Sequence, residues 1–143
     1  MVALTEGRNT PELSGPEREG LLGATQTIFV GSILMRNAAG HLIKAAVALG
    51  STGVGRAEKA GASTTAGVTA QRYRPGTHRF ANSTAGDLIV TADIGAACYI
   101  VDDQTVAKTN GAATRSAAGI IDGVDALGVW VRFDEALTRA FLS

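Results

Sequence analysis

The run Gly50-Ser51-Thr52-Gly53-Val54-Gly55-Arg56-Ala57 has the spacing of a phosphate-binding loop. Such a loop places a Lys on the β- and γ-phosphates and a Ser or Thr hydroxyl on Mg²⁺. Here Arg56 stands at the Lys position and Ala57 at the hydroxyl position, so the metal ligand is missing. A Gly-rich turn between strands accounts for the run better than a nucleotide site, and an ATPase or recombinase is rejected. Asp102 and Asp103 follow an apolar run, with Asp122 and Asp125 further on. Ca²⁺ takes six to eight oxygens, usually from a D-x-[DN]-x-[DN]-G loop, and that pattern is absent. These aspartates read as turn formers. Cys98 lies in Ala96–Val101 and reads as a small buried hydrophobe, since a nucleophilic Cys needs a base beside it. No G-x-S-x-G elbow is present. No catalytic, cofactor or metal residue is assigned.

The arginines carry a different chemistry. Ten of the thirteen basic residues are Arg. Arg72, Arg74 and Arg79 flank Pro75-Gly76 beside Tyr73, His78 and Phe80. Guanidinium groups pair bidentately with carboxylates and stack on rings, which suits protein interfaces. A nucleic-acid site would draw on the same residues. Lys+Arg 13 balance Asp+Glu 13, and zero net charge argues against binding by counterion release. A protein partner is the better reading, with Arg72, Tyr73, Arg74 and Arg79 as candidate contacts. Trp130 reads first as a core residue and second as an interface anchor.

The elements that must position these residues are short. The chain has 143 residues, enough for one domain that buries roughly 68–70% of its unfolded surface. It holds 25 Ala, 18 Gly and 15 Thr but only 5% aromatics. Gly recurs every few residues from Gly40, which disfavours long helices and suits strands joined by turns. Strand-like runs are Thr25–Val30, Ser32–Arg36, Val54–Lys59, Val68–Arg74, Thr77–Ala81, Asp87–Thr91, Ala96–Val101, Thr105–Thr109, Ser116–Ile121 and Val129–Phe133. His41–Leu49 fits strand or short helix, and Ala60–Gly67 reads as a loop. Pro75-Gly76 predicts a hairpin over 68–81, and Asn110-Gly111 a tight turn. Asp134 is placed to cap a short C-terminal helix ending at Leu142. No exact internal repeat is found. About nine strands result, the pattern of an all-β, single-domain antiparallel sandwich or jelly roll over residues 24–143.

Residues 1–23 differ. They hold Pro11 and Pro16 and show neither a period of 2 nor one of 3.6. They read as an extended arm, with Leu4, Arg8, Pro11 and Leu13 as candidate partner contacts. A single Cys excludes an intramolecular disulfide, and two His leave no zinc cluster. No apolar run approaches a membrane span, and no signal-peptide layout opens the chain. The expectation is a soluble protein that stays where it is made.

The run from Gly86 to Ala107 (GDLIVTADIGAACYIVDDQTVA), with Arg115–Ile121 and Asp125–Val131, resembles small proteins of tailed-phage head operons. They are similar to capsid decoration, or cement, proteins, especially those of short-tailed phages. The resemblance is best over residues 54–133 and weak over the arm. Some relatives carry a recombinase label, which the failed phosphate loop does not support here. The resemblance implies a structural, non-enzymatic sandwich or jelly-roll module that forms homo-dimers or homo-trimers. It would sit on the outer surface of the virion, after synthesis in the host bacterial cytoplasm. Its partner would be the major capsid protein, with no nucleic acid, membrane or cofactor involved. The alternative is a small β-barrel that binds a ligand or metal. An enzyme, such as a Cys- or Asp-dependent hydrolase, is a third reading.

Overall fold

In a computed structural model, which describes residues 2–142, the chain is an all-β domain closed by one short helix. The strands are β1 (Arg18–Leu21), β2 (Gln26–Ile28), β3 (Ile33–Arg36), β4 (Leu42–Lys44), β5 (Thr52–Ala57) and β6 (Gly61–Ser63). They continue as β7 (Ala70–Arg74), β8 (Gly76–Phe80), β9 (Ala97–Ile100), β10 (Val106–Ala107), β11 (Ala117–Asp125) and β12 (Gly128–Phe133). Helix α1 spans Glu135–Leu142, and the Asp134 carboxylate accepts from the Leu137 N–H at 3.0 Å, the expected cap. No helix among the described residues is long and apolar enough to cross a membrane.

Ten strands form one sheet that turns back on itself twice. In the first half, β1 pairs β7, β7 pairs β5, β5 pairs β3 and β3 pairs β4, all antiparallel. A parallel bridge between Leu22 and Leu42 closes this ring. In the second half, β8 pairs β12, β12 pairs β11, β11 pairs β9 and β9 pairs β10, again antiparallel. A parallel bridge between Ala81 and Thr105 closes the second ring. The rings join where Thr52 of β5 meets Ala117 of β11 in parallel. The short β2 and β6 pair with each other outside the large sheet.

The two halves repeat one topology, residue for residue along β3–β4–β5 and β9–β10–β11. Leu34 faces Gly55 and Met35 faces Gly53, so Val54 bulges from the ladder. Cys98 faces Gly119 and Tyr99 faces Ala117, so Ala118 bulges in the same place. Each bulge has a glycine beside it with no room for a side chain. A Cβ on Gly55 would stand 2.3 Å from the Arg74 carbonyl oxygen, and one on Gly119 2.4 Å from that of Arg132. Arg74 and Arg132 are themselves matched, since Arg56 pairs Arg74 and Ile120 pairs Arg132. A repeat absent from the residue letters is therefore present in register and burial.

Each ring has its own core. Leu22, Ile28, Leu34, Leu42, Val54, Ala57 and Tyr73 fill the first. The second contains Cys98, Ile100, Val106, Ala118, Ile121, Val129, Val131 and Phe133. Strand β3 serves both, because alternate side chains leave opposite faces of a strand. Leu34 points into the first core, while Ile33 and Met35 belong to the second. The small-residue bias has a use here: Gly53 lies on the Ala118 backbone, where any Cβ would sit 2.2 Å from the Ala118 carbonyl oxygen.

Several expected elements are different in the fold. Residues 68–81 form two strands but no hairpin, since β7 and β8 pair with other partners. Only Pro75 separates them, one residue fewer than the two-residue loop a tight hairpin uses. Pro75 and Gly76 (φ +106°) instead carry the chain from the first ring into the second. Asp87–Thr91 is not a strand; single 3₁₀ turns at Ala85–Asp87 and Thr91–Asp93 flank a buried Ile89. The Asn82 side chain satisfies both the N–H (3.0 Å) and the C=O (2.8 Å) of Ile89, as a strand would. Strand β6 lies in the expected loop 60–67, and β5 begins at Thr52, two residues before the expected run, and is mostly buried. Among the described residues there are twelve strands, where about nine were expected. The arm is shorter than residues 1–23, because β1 begins at Arg18 and Leu22 is fully buried.

Candidate functional site

The arm is the most distinctive surface feature. Every residue from Val2 to Glu17 is exposed and outside regular structure. Val2 is 89% exposed, Leu4 72% and Leu13 76%. Pro11 and Pro16 hold φ in the extended range and remove two donors, so the segment has little means to form helix. Its root is fixed. The Glu17 carboxylate lies 3.8 Å from Arg72 and 3.7 Å from Arg74. Arg74 also reaches Glu58 at 3.4 Å, and Glu58 accepts from Arg56 at 2.8 Å. The Arg56 hydrogen bond, against the desolvation that opposes it, holds the Glu58 carboxyl below its ordinary range. Arg72 and Arg74 thus clamp the foot of the arm.

The eight contact residues expected from the sequence do not form one face. Leu4, Arg8, Pro11 and Leu13 lie on the exposed arm. Tyr73 is 8% exposed and belongs to the first core, so it is not a surface contact. Its inward direction follows from its parity with Gln71, which is also buried. The Tyr73 hydroxyl accepts from Arg36 at 3.1 Å, and Arg36 also donates to Glu135 at 3.0 Å, tying α1 to the first ring. Arg72 and Arg74 are on β7 and Arg79 is on β8, with no shared hairpin between them.

Arg79 belongs instead to a cluster centred on Trp130. Its guanidinium lies 5.3 Å from the indole centroid and 3.5 Å from Asp125. Asp125 accepts from the indole Nε1–H at 2.9 Å and from the Leu127 and Gly128 amides. These bonds, the indole's first, hold its carboxyl below the ordinary range. Trp130 is 38% exposed and points out of the sheet, which corrects its reading as a core residue. Val129 and Val131 on either side are fully buried. Alternation along Val129-Trp130-Val131 carried that information in the sequence. Beside the cluster, a cleft of about 360 Å³ has Arg56, Thr77, His78, Arg79, Phe80 and Trp130 among its lining residues.

The remaining chemical candidates have structural explanations. Thr52–Ala57 of the phosphate-loop look-alike is strand β5, with no helix following it. Asp102 accepts from the Gln104 amide at 2.9 Å, as a turn former does, and Asp103 lies 3.7 Å from Lys44. Cys98 is fully buried in the second core, and burial pushes its thiol up to about 12. It is therefore a protonated, solvent-inaccessible hydrophobe at neutral pH. Among the described residues no group of three or more His, Cys, Asp or Glu is placed to hold a metal ion. Comparison with protein-family models, curated proteins and solved structures finds no match.

Proposed function

We propose that this chain is a structural, non-enzymatic decoration protein, which binds the outside of a phage head and cements neighbouring major capsid protein subunits. One observation carries this reading: a long exposed arm, bearing Leu4, Arg8, Pro11 and Leu13, leaves a rigid β body from an ion-paired root. A tether of this kind is suited to crossing a seam between subunits. An extended segment gains main-chain hydrogen bonds by adding to a sheet edge on its neighbour. Pressure from packaged DNA pulls shell subunits apart, and a clamp with two attachment points resists it through avidity. Zero net charge fits a protein that covers protein surfaces at high copy number without drawing nucleic acid.

The test is co-sedimentation with undecorated heads. Deletion should stop at Pro16, because Arg18 already pairs Tyr73. A chain lacking residues 1–16 should keep its β circular-dichroism spectrum and lose roughly 10²-fold in apparent affinity, the low end of an avidity effect. Full-length occupancy by the shortened chain would remove the role of the arm. Failure of the intact chain to bind heads would remove the reading itself.

A further inference from the structure

We infer that two matched turn tips, Val30 and Ile94, seat in the same recess on two neighbouring subunits of one partner, so that the body of a single chain bridges the pair. The inference rests on the decoration reading and names the face of the chain that meets the shell.

The tips are equivalent by register. In the first ring the Ser32 amide donates to the Phe29 carbonyl at 3.2 Å, the Gly31 amide to that of Ala57 at 2.9 Å, and the Ala57 amide to that of Ser32 at 2.8 Å. In the second ring Ala96 donates to Asp93 at 3.0 Å, Gly95 to Ile121 at 2.8 Å, and Ile121 to Ala96 at 2.8 Å. Each bond of one turn has its counterpart in the other. Gly31 (φ +84°) and Gly95 (φ +95°) take the third position of each turn, where a positive φ is needed. Val30 and Ile94 take the second, which accepts most residues. The fold therefore requires no aliphatic at either place, yet Val30 is 65% exposed and Ile94 46%. Single exposed aliphatics are commonplace. A matched pair on a repeated turn is a repeated surface. A lysine is matched beside each tip as well: Lys44 Nζ lies 5.4 Å from the Phe29 ring centroid, and Lys108 Nζ 3.4 Å from Asp93.

Direction follows from the strands. β5 and β11 run parallel where Thr52 meets Ala117, and Ala57 and Ile121 lie downstream on them. Both tips are bonded to these two residues and so stand at the same end of the molecule. The root of the arm stands there too, since Arg18 pairs Tyr73 and Tyr73 pairs Ala57. Two like tips beside one tether therefore meet one surface. Two like protrusions need two like recesses, and a shell of identical subunits supplies them on either side of a seam. An aliphatic tip with a lysine next to it fits an apolar recess with a carboxylate at its rim. Lys44 and Lys108 are each nearly half exposed, and their present carboxylates, Asp103 and Asp93, form surface pairs weak enough to exchange. Each tip holds weakly alone, and the two act together through avidity.

The experiment is co-sedimentation of full-length variants with undecorated heads, alongside circular dichroism and sedimentation of the free chain. Val30→Asp and Ile94→Asp should each keep the spectrum and lower apparent affinity by roughly 10²-fold, to similar extents. The double variant should fall further than either. Val30→Ser and Ile94→Ser repeat the comparison without added charge and should lose affinity in the same direction. The exchanged chain, Val30→Ile with Ile94→Val, should bind as the intact chain does. Leu49→Asp is the control: Leu49 is 66% exposed but precedes Thr52, at the other end of β5, and the change should leave binding as it was. A loss confined to one tip, full occupancy by the double variant, loss in the exchanged chain, or an equal loss in Leu49→Asp would each overturn the inference. So would a lower mass of the free chain in either single variant, which would assign the tips to a contact between copies. In all these cases the intact chain still binds heads, and the decoration reading stands. An intact chain that does not bind heads removes both.

Discussion

At the scale of single residues, environment decides what a chemically capable side chain does. Cys98 has no water around it and no role for a thiolate. Replacing it tests that directly. Cys98→Ser buries a hydroxyl among Val106, Val131 and Ile100 and should destabilise the fold by about 1–3 kcal/mol. Cys98→Ala leaves only a small void and should be milder. Both should bind partners normally once folded, as urea titration followed by head co-sedimentation would show. Loss of binding in a fully folded Cys98→Ala would contradict the structural role. Tyr73 and Trp130 give the complementary lesson. The sequence read Tyr73 as a surface contact and Trp130 first as a core residue, and the structure reverses both. Parity with neighbouring buried residues assigns Tyr73 inward and Trp130 outward.

Much at the scale of elements was legible in the chain. Strands β2, β3, β7, β9 and β10 fall within the strand-like runs of the sequence, β12 adds only Gly128 to its run, and Asp134 caps α1 as its position indicates. What was not legible depends on distant partners. The link at Pro75 looks like a hairpin until the partners of β7 and β8 are known. Asn82 replaces a strand for Ile89 through a side chain seven residues away. The repeat is hidden because its matched positions share burial rather than identity: Leu34 with Cys98, Leu42 with Val106, Ala57 with Ile121. Gly55 and Gly119 are an exception, identical because each bulge presses on a carbonyl. Gly119→Ala should therefore cost about 1–3 kcal/mol, as overpacking against fixed backbone does. Gly86→Ala, with open space around it, is the control and should change little. Thermal unfolding of the two variants provides the comparison, and equal midpoints would refute the close approach.

At the scale of the whole molecule, the two rings are one cooperative body because β3 belongs to both cores. Leu34→Ala removes a fully buried side chain from the first core and should cost about 2–5 kcal/mol. The shared strand transmits that loss, so calorimetry should show a single transition displaced to lower temperature. Two separated transitions in this variant would mean the rings unfold independently. The arm stands apart from this cooperativity, as its exposure and ion-paired root require. The candidate surface was half legible: the arm was recognised and alternation already turns Trp130 outward, while its partner Arg79 needed the register of β8 against β12.

The single-residue crossing at Pro75 also sets an order of events on the ribosome. The strands of the first ring, β1, β3, β4, β5 and β7, are all translated before those of the second, β8 to β12. Domains fold as units and from the N-terminal side during synthesis. On that rule the first ring closes before the second is complete, and the outer face of β3 then has no cover. Ile33 and Met35 stay bare until β9–β12 arrive. A translational pause shortly after codon 74 would prolong that exposure, and faster decoding through the second half would shorten it.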